Sequence, residues 1–285
     1  MKILVTGAKG QVGAALVRQG KDRGHEMIAM DRQSLDITDR EANHAAIHCD
    51  TPDLVINAAA YTAVDKAEED EASALAINGA GAENLAHICH EIDIPFLHIS
   101  TDFVFDGTKE GAYVETDPVA PLSAYGRSKA VGEEMITAIG GRHIILRTAW
   151  VFGGAQNFVS TILRLADERD ELNIIDDQTG GPTPAGAIAE TLLTIAEQVT
   201  EEGFDDWGLY HYCGKPSVTW YGFTKAILEG RDKPRVNPIP TEDYPTPAER
   251  PKNSVLDCSR IRDVFGIEQP DWQAALKDIL KVRGK

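Results

Sequence analysis

Residues 2–13 read Lys2-Ile3-Leu4-Val5-Thr6-Gly7-Ala8-Lys9-Gly10-Gln11-Val12-Gly13. The apolar run at 3–5 is typical of a buried parallel strand, and the pattern from Val12 to Arg23 predicts a helix after the turn. Glycines in such a turn let the backbone approach a pyrophosphate, which the N–H groups at a helix N-terminus can bind. The context therefore predicts a dinucleotide site at residues 7–13, although a turn that needs glycine only for its geometry is the alternative.

Further short apolar runs predict strands at residues 26–30, 53–57, 95–100 and 143–147. A long alanine-rich helix is predicted between the second and third of these strands, over roughly 68–92. Strands that alternate with helices imply a parallel sheet with right-handed crossovers. We therefore predict an α/β fold with a Rossmann-type, doubly wound parallel sheet in residues 1–150. After Trp150 the proline and aromatic content rises, which predicts a smaller C-terminal substrate-binding lobe in residues 151–285, with a helix near 185–200 packing back on the first domain.

Composition narrows the classes of partner. The formal charge is −17, from 28 basic and 45 acidic residues, and so acidic a surface repels nucleic acid. The apolar run at the N-terminus is too short for a signal peptide, and no run approaches the roughly 20 apolar residues of a membrane span. The four cysteines lie far apart in the sequence, which predicts neither a zinc site nor a disulfide framework. We expect a cytoplasmic protein without membrane or nucleic-acid partners.

Two neighbouring residues bear on whether the cofactor is NAD or NADP. Asp31 ends the second predicted strand, where an acid can accept a hydrogen bond from a free ribose 2′-OH, as in NAD. Arg32 can instead pair with the 2′-phosphate of NADP. The cofactor is therefore predicted to be NADPH or NADH, with the choice open. Asp36 and Ile37 follow closely and are predicted to contact the adenine.

The pair Tyr125 and Lys129 predicts proton-transfer chemistry. Side chains four residues apart share one face of a helix, so the ammonium is expected to lower the pKa of the phenol and make it a proton donor or acceptor. Ser100-Thr101-Asp102 follows the fourth strand, at the sheet edge where ligands of open α/β sheets bind. The Thr101 hydroxyl can steady a carbonyl oxygen while Tyr125 protonates it. The small residues 57–60 leave room for a flat ligand beside the end of the third strand.

These motifs occur in the order found in the extended short-chain dehydrogenase/reductases, and the chain resembles that family. In its details the sequence is similar to the dTDP-4-dehydrorhamnose reductase branch. The matching stretches are 57–68, 100–107, 147–152, 177–183 and 244–254, so the resemblance extends over nearly the whole chain. It implies NAD(P)H-dependent reduction of the C4 keto group of a nucleotide-linked sugar.

The resemblance also implies roles for individual residues. It places Thr101, Tyr125 and Lys129 in the catalytic set. It places around the cofactor Gly10, Gln11, Val12, Asp31, Asp36, Ile37, Ala60, Tyr61, Thr62 and Lys129. It places around the substrate Thr101, Asp102, Tyr125 and Trp150.

Two positions depart from the family pattern. Some members dimerise through a metal held partly by an acid in the first helix, where this chain has Ala15. We therefore predict no metal site, and a monomer or weak homodimer. The Arg-Arg pair often found before the Pro-x-Asn-Ser segment is Glu249-Arg250 here, so one potential pyrophosphate donor is absent.

Two alternatives share these features. A sugar-nucleotide epimerase or dehydratase would have the same fold and Tyr-Lys pair, although a 4,6-dehydratase usually carries an acid pair after the threonine and this chain has Asp102-Phe103. The other alternative is a non-catalytic NADP-binding module that resembles the regulatory subunit of methionine adenosyltransferase. His98 and His211 lie on apolar strands and are predicted to be packed core residues. The acidic residues 68–71 are predicted to form a solvated helix N-terminus.

Overall fold

The computed structural model describes residues 1–282. The strands, in chain order, are β1 (Lys2–Thr6), β2 (Glu26–Met30), β3 (Leu54–Asn57), β4 (Phe96–Thr101), β5 (His143–Thr148), β6 (Val151–Phe152), β7 (Glu171–Ile175), β8 (Thr179–Gly180), β9 (Thr183–Pro184), β10 (Gly208–His211), β11 (Val218–Thr219) and β12 (Arg235–Ile239). The α-helices are α1 (Gln11–Asp22), α2 (Arg40–Asp50), α3 (Val64–Ala67), α4 (Glu71–Leu75), α5 (Ala82–Glu91), α6 (Ala124–Ile139), α7 (Phe158–Glu168), α8 (Ala185–Val199), α9 (Trp220–Ile227), α10 (Ser259–Phe265) and α11 (Trp272–Val282).

A six-stranded sheet forms the centre of the molecule, in the order β10-β5-β4-β3-β1-β2, and every neighbouring pair is parallel. The predicted doubly wound α/β fold is thus confirmed. The chain runs from β1 outward to β2 and then returns to the other side of β1 with β3. Ligands of open α/β sheets bind at such a reversal, outside the carboxyl ends of the strands. The carboxyl ends of β1 and β3 therefore position the site.

Helices cover both faces of this sheet because its strands are apolar on both sides. One face packs against α1, α8 and α10 in a core that contains Ile3, Val5 and Leu146. The other face packs against α2, α5 and α6 around Leu4 and Ile145. Both cores are sealed, with these residues 0% exposed.

The long helix predicted over roughly 68–92 is present without a break from Glu71 to Glu91. The π-helical stretch at Ala76–Gly81, between α4 and α5, was not predicted. A single π-helical turn inserts one extra residue and turns the helix face. Strand β10, which extends the sheet beyond β5, was not predicted, although His211 at its end was placed on a strand.

The residues after Trp150 build a second core. Helix α8 packs against α1, and the Gln19 side chain donates to the Gly186 carbonyl oxygen at 3.0 Å. Helices α7, α9 and α11 instead enclose Phe152, Phe223 and Trp272 with the parallel pair β7 and β12. The division of the chain at residue 150 stays a prediction, and residues 283–285 of the expected lobe lie outside the described residues. No helix within residues 1–282 is long and apolar enough to cross a membrane.

Candidate active site

A cleft of about 970 Å³ opens at the carboxyl ends of β1, β3, β4 and β5. Its floor is the glycine-rich turn, and its far side is formed by residues of the C-terminal part of the chain, including Phe158 and Trp220. Every residue predicted to hold cofactor or substrate lines this cleft except Gly13, which lies in the first turn of α1. Their roles stay predictions, but the fold brings them together.

The glycine-rich turn joins β1 to α1 with little space to spare. Gly7 has φ +65°, and a Cβ at this position would lie 2.5 Å from the Ala58 carbonyl oxygen. Any larger residue would therefore separate the segments that follow β1 and β3. Gly10 is the N-cap of α1 and supplies no side-chain cap to the N–H groups of the first turn. The N–H groups at this helix N-terminus have no side-chain cap, and glycine lets a ligand approach them closely. Both features are suited to binding the pyrophosphate of a dinucleotide.

Asp31 is held by a residue of the glycine-rich turn that sequence reasoning did not use. Lys9 forms an ion pair with Asp31, and this hydrogen bond, aided by the Ser34 backbone N–H, lowers the pKa of Asp31 to about 2. Arg32 is exposed beside them on the cleft wall. Two cations thus flank the predicted ribose site. Sequence reasoning missed Lys9 because it lies on a different loop from Asp31 and shares no local pattern with it.

Asp36 and Ile37 complete this end of the cleft. Hydrogen bonds from the backbone and the hydroxyl of Thr38 hold the pKa of Asp36 below its usual value. Ile37 is 4% exposed and packs in the core shared with α2 and α5. An apolar side chain supported in this way can form a rigid wall for a flat ring.

The segment after β3 is positioned by the π-helical turn. The Asn78 side chain accepts from the Tyr61 backbone N–H at 2.9 Å and donates to the Tyr61 carbonyl oxygen at 3.0 Å. The same amide group donates to the Ser128 hydroxyl of α6 at 2.9 Å. Asn78 is 1% exposed, so it fixes residues 60–62 against α6 without touching solvent. Sequence reasoning missed it, because its partners are 17 and 50 residues away.

Thr101 and Asp102 lie buried at the carboxyl end of β4. The Thr101 hydroxyl donates to Asp102 Oδ1 at 3.1 Å and accepts from the Phe103 backbone N–H at 3.2 Å. Burial raises the pKa of Asp102 to about 7, and the Ser254 and Thr101 hydroxyls offset part of this effect. Asp102 is 2% exposed, although it lines the cleft.

Tyr125 stands in the first turn of α6, which is capped on two sides. The Ser123 hydroxyl accepts from the Gly126 backbone N–H at 3.1 Å, and Glu68 accepts from the Ala124 N–H at 2.7 Å. Asp70 caps α4 in the same way, and Glu71 pairs with Arg127. The acidic residues 68–71 lie at the N-terminus of α4, as predicted, and Glu68 and Glu71 also contact the start of the helix that carries Tyr125.

The expectation that Lys129 lowers the pKa of Tyr125 was wrong. Burial raises the pKa of Tyr125 to about 12, and only the hydrogen bond with Thr101 acts in the opposite direction. Lys129 Nζ instead contacts His98 Nε2 at 2.9 Å and donates to the Ile99 carbonyl oxygen at 2.7 Å. Lys129 is itself 1% exposed, and burial lowers its pKa to about 8.

His98 and His211 are buried as predicted, but both belong to polar networks rather than to an apolar core. His98 contacts Lys129 through Nε2 and Asn57 through Nδ1.

His211 lies 3.3 Å from Arg147, which forms a bidentate pair with Glu133 of α6 at 2.6 and 2.9 Å. Strand β4 joins the second network where the Ser100 hydroxyl donates to Glu133 at 2.5 Å. Through these contacts α6 is attached to β4 and β5 close to Thr101.

Trp150 forms a wall of the cleft. Its φ is +45°, and its indole stacks on that of Trp220 with ring centroids 3.5 Å apart and planes 4° from parallel. Phe158 lies 4.5 Å from the Trp220 ring centroid. Trp150 follows β5 and Trp220 begins α9, so the stack joins the sheet to the C-terminal core. Trp220 and Phe158 were not predicted, since nothing in the sequence around them marks a contact with this wall.

No group of three or more His, Cys, Asp or Glu side chains that could hold a metal ion occurs within residues 1–282. Ala15, where some relatives carry an acid, is 8% exposed in the core that α1 shares with α8. The four cysteines are free thiols, although Cys213 Sγ and Cys258 Sγ lie 3.9 Å apart.

Comparison with known proteins finds relatives that match almost the full length of the chain. The family described as RmlD substrate binding domain matches residues 1–284. A dTDP-4-dehydrorhamnose reductase of Aggregatibacter actinomycetemcomitans is 45% identical, with 98% of each chain covered, and that of Escherichia coli K12 is 38% identical over 98% of this chain and 97% of the relative.

Solved structures give the same result. The dTDP-4-dehydrorhamnose reductase of Clostridium acetobutylicum superposes with a TM-score of 0.94 at 38% identity and full coverage of both chains. That of Bacillus anthracis, in complex with NADP, superposes with a TM-score of 0.92 at 31% identity and 98% coverage of each. The chain therefore belongs to the RmlD substrate-binding-domain family, within the extended short-chain dehydrogenase/reductases, together with the dTDP-4-dehydrorhamnose reductases.

Proposed function

We propose that this protein reduces the C4 keto group of dTDP-4-dehydro-L-rhamnose to give dTDP-L-rhamnose, with NADPH or NADH as the reductant. The observation that carries the proposal is the meeting of Thr101, Asp102 and Tyr125 at the carboxyl end of β4, in the same cleft as the glycine-rich turn. The full-length match to named reductases supports the choice of reaction.

The nicotinamide cofactor supplies the hydride when it is bound. The residues proposed to hold it are Gly7, Gly10, Gln11, Val12, Gly13, Asp31, Arg32, Asp36, Ile37, Ala60, Tyr61, Thr62, Tyr125 and Lys129. The glycine-rich turn would bind the pyrophosphate, while Asp31 and Arg32 would lie beside the adenosine ribose. The cleft thereby orients the reactive end of the cofactor toward Thr101 and Tyr125.

Tyr125 is proposed as the proton donor. Because burial raises its pKa to about 12, the phenol keeps its proton at neutral pH. An alkoxide is a stronger base than a phenolate, so the proton moves from Tyr125 to the substrate oxygen as negative charge develops there. Thr101, which is hydrogen-bonded to Tyr125, is placed to share a hydrogen bond at the same oxygen. A positioned general acid contributes roughly 10²–10⁴ in rate.

The substrate is an anion in a protein of net charge −17, so local cations must hold it. Arg250 lines the cleft, and its Nη2 donates to both carboxylate oxygens of Asp65, at 2.9 and 3.0 Å. Its position near the C-terminal wall fits a donor to the substrate pyrophosphate. Trp150 and Asp102 are proposed to bound the sugar, the first by packing and the second as a polar group at the carboxyl end of β4.

The test is oxidation of NADPH and of NADH in the presence of dTDP-4-dehydro-L-rhamnose, compared with other keto-sugar nucleotides. We expect turnover with the rhamnose precursor above the others. Net oxidation with another keto-sugar nucleotide alone would make the protein a reductase of that sugar, whereas an epimerase or dehydratase would convert its sugar nucleotide without net oxidation of the cofactor. Tight cofactor binding with no turnover of any substrate would instead indicate a nucleotide-binding module.

A further inference from the structure

The loop of residues 153–157 connects β6 to α7 and borders the cleft. It leads from Phe152, at the end of β6, to Asn157, which is the N-cap of α7. Gln156 of this loop lines the cleft, and so does Phe158, the first residue of α7. The conformation of the loop therefore determines where the start of α7 lies relative to the cleft.

One side chain of the glycine-rich turn holds this loop. Gln11, the first residue of α1, accepts with its Oε1 from the Gly154 backbone N–H at 3.0 Å and from Asn157 Nδ2 at 3.1 Å. These partners are 143 and 146 residues away in the sequence. The segment proposed to bind the cofactor pyrophosphate is thus attached directly to the segment that precedes the aromatic wall of the cleft.

The orientation of both amide groups follows from backbone groups. A backbone N–H can only donate, so the Gln11 atom that faces Gly154 N must be the oxygen. Asn157 Oδ1 accepts from the Ser160 backbone N–H at 3.1 Å, which turns its Nδ2 toward Gln11. The same Nδ2 also donates to the Gly154 carbonyl oxygen at 2.8 Å. Turning either amide over would place two donors against each other.

The two segments also pack closely. A Cβ at Gly154 would lie 2.5 Å from Gln11 Cγ and 2.9 Å from Gln11 Oε1. Only glycine therefore leaves room at this position for the Gln11 side chain. Hydrogen bonding and packing both depend on the pairing of Gln11 with Gly154.

Helix α7 connects this attachment to the aromatic wall. Phe158 directly follows Asn157, and its ring centroid lies 4.5 Å from that of Trp220 and 5.6 Å from that of Phe223. Trp220 in turn stacks on Trp150. The position of the wall relative to the glycine-rich turn therefore depends in part on Gln11.

We propose that Gln11 is a positioning residue for the sugar nucleotide, because its side chain holds loop 153–157 against the glycine-rich turn and so fixes the aromatic wall on which the sugar packs. Its backbone N–H, at the first position of α1, remains available to the cofactor. The identity of the ligand rests on the proposed function, but the attachment of the loop does not. With the loop detached, only the fraction of molecules in which it returns to its place binds substrate, so the apparent affinity falls in proportion.

The first test needs neither substrate nor cofactor. Hydrogen exchange of the full-length protein, followed by mass spectrometry, reports the protection of the backbone N–H groups in residues 153–158. Gln11→Met keeps the length of the side chain but has no amide oxygen. Exchange in this segment should become at least about fivefold faster in the variant, because the Gly154 N–H loses this hydrogen bond. Unchanged exchange would overturn the proposal.

Two further variants make the exchange result specific. Gln11→Glu presents a carboxylate oxygen at the same place and should restore the protection. Gln19→Met is the matched control, because Gln19 lies on the same helix and donates to the Gly186 carbonyl oxygen of α8. It should leave residues 153–158 unchanged. Equal acceleration in Gln11→Met and Gln19→Met would reflect a general loosening of α1 and would refute the proposal.

The close packing allows an independent check by a double-mutant cycle. Gly154→Ala places a Cβ against Gln11 Cγ, so it should lower the urea midpoint of unfolding. In the Gln11→Ala background, which lacks Cγ and Oε1, the same substitution should lower the midpoint less. Additive effects of the two substitutions would contradict the pairing of these residues.

Affinity for the cofactor separates this role from direct binding of the cofactor by the side chain. Gln11→Met keeps the backbone N–H of the turn, so the dissociation constant of NADPH should stay within about twofold of that of the parent. Fluorescence titration measures it. A loss of NADPH affinity of tenfold or so would mean that the Gln11 side chain binds the cofactor, against the proposal.

The kinetic test alone rests on the proposed function. In Gln11→Met the KM for the sugar nucleotide should rise about tenfold, the equivalent of one to two lost hydrogen bonds, while kcat stays within about twofold because saturating substrate selects the molecules with the loop in place. Gln19→Met should change neither constant. A lower kcat with an unchanged KM would be incompatible with the proposed role. Absence of turnover in the parent would sink the proposed function and leave the exchange and double-mutant results standing.

Discussion

At the scale of single residues, the phenol of Tyr125 offers the most direct test. Tyr125→Phe removes the proton donor and leaves the packing of the ring, so turnover should fall by at least roughly a hundredfold while cofactor affinity and the unfolding midpoint stay near those of the parent. Steady-state kinetics and cofactor titration measure both. Tyr221→Phe, outside the cleft, is the matched control. Activity within a few-fold of the parent would exclude the general-acid role.

The cations beside the predicted adenosine-ribose site should determine which cofactor binds more tightly. Arg32→Ala should weaken binding of NADPH more than that of NADH, because a 2′-phosphate offers the guanidinium a charged partner that a 2′-OH lacks. Lys9→Ala should have the same selectivity and should also release Asp31 from its ion pair. Fluorescence titration of both cofactors measures the ratio, with Arg18→Ala on the exposed face of α1 as the control. Equal losses for the two cofactors would show that neither residue contacts the phosphate.

Asp102 makes stability depend on pH. Its pKa is about 7 in the folded protein and about 4 when unfolded, so between these values the folded state binds more protons and stability falls as the pH rises. Asp102→Asn removes this dependence. The stability of the variant relative to the parent should therefore increase by about 1–3 kcal/mol between roughly pH 5 and pH 8. Urea unfolding at the two pH values measures it, and a difference that is constant with pH would refute the assignment.

At the scale of elements, the π-helical turn and α6 depend on a close approach. A Cβ on Gly132 would lie 2.1 Å from the Asn78 carbonyl oxygen, so Gly132→Ala must displace the residue that holds Tyr61. We expect a loss of about 1–3 kcal/mol in stability and weaker cofactor binding. Gly79→Ala, whose Cβ would meet the side chains of Val131 at 3.3 Å and Met135 at 3.9 Å, should cost much less. Equal effects would mean that the turn does not position the cofactor site.

Elements also explain what the sequence could predict. The strands of the sheet and the glycine-rich turn have local signals, namely apolar runs and glycine spacing, and these were read correctly. The π-helical turn has none, because Asn78 among small residues looks like an ordinary helix position. The contact between Asn57 and His98 joins residues 41 apart and exists only through the register of β3 with β4. The same holds for Lys9 and Asp31, which meet only because two loops converge.

At the scale of the whole molecule, we predict that neither activity nor assembly needs a divalent metal. Ala15 is buried in the core that α1 shares with α8 and offers no metal ligand, and the proposed chemistry relies on Tyr125 and Thr101 to stabilise the alkoxide. EDTA should therefore change neither the turnover rate nor the sedimentation coefficient. Restoration by magnesium of activity lost to a chelator, or a dimer that a chelator splits, would show the prediction to be wrong.

The stacked indoles of Trp150 and Trp220 give the molecule an optical signature. Two of its four tryptophans lie face to face at 3.5 Å across the wall of the cleft, which is close enough for their electronic transitions to couple. The far-ultraviolet circular dichroism, where the strong indole transitions absorb, should therefore contain an exciton couplet that Trp220→Phe abolishes. A sugar nucleotide that packs on Trp150 would alter the geometry of the pair, so this couplet would report occupancy of the cleft without any added label.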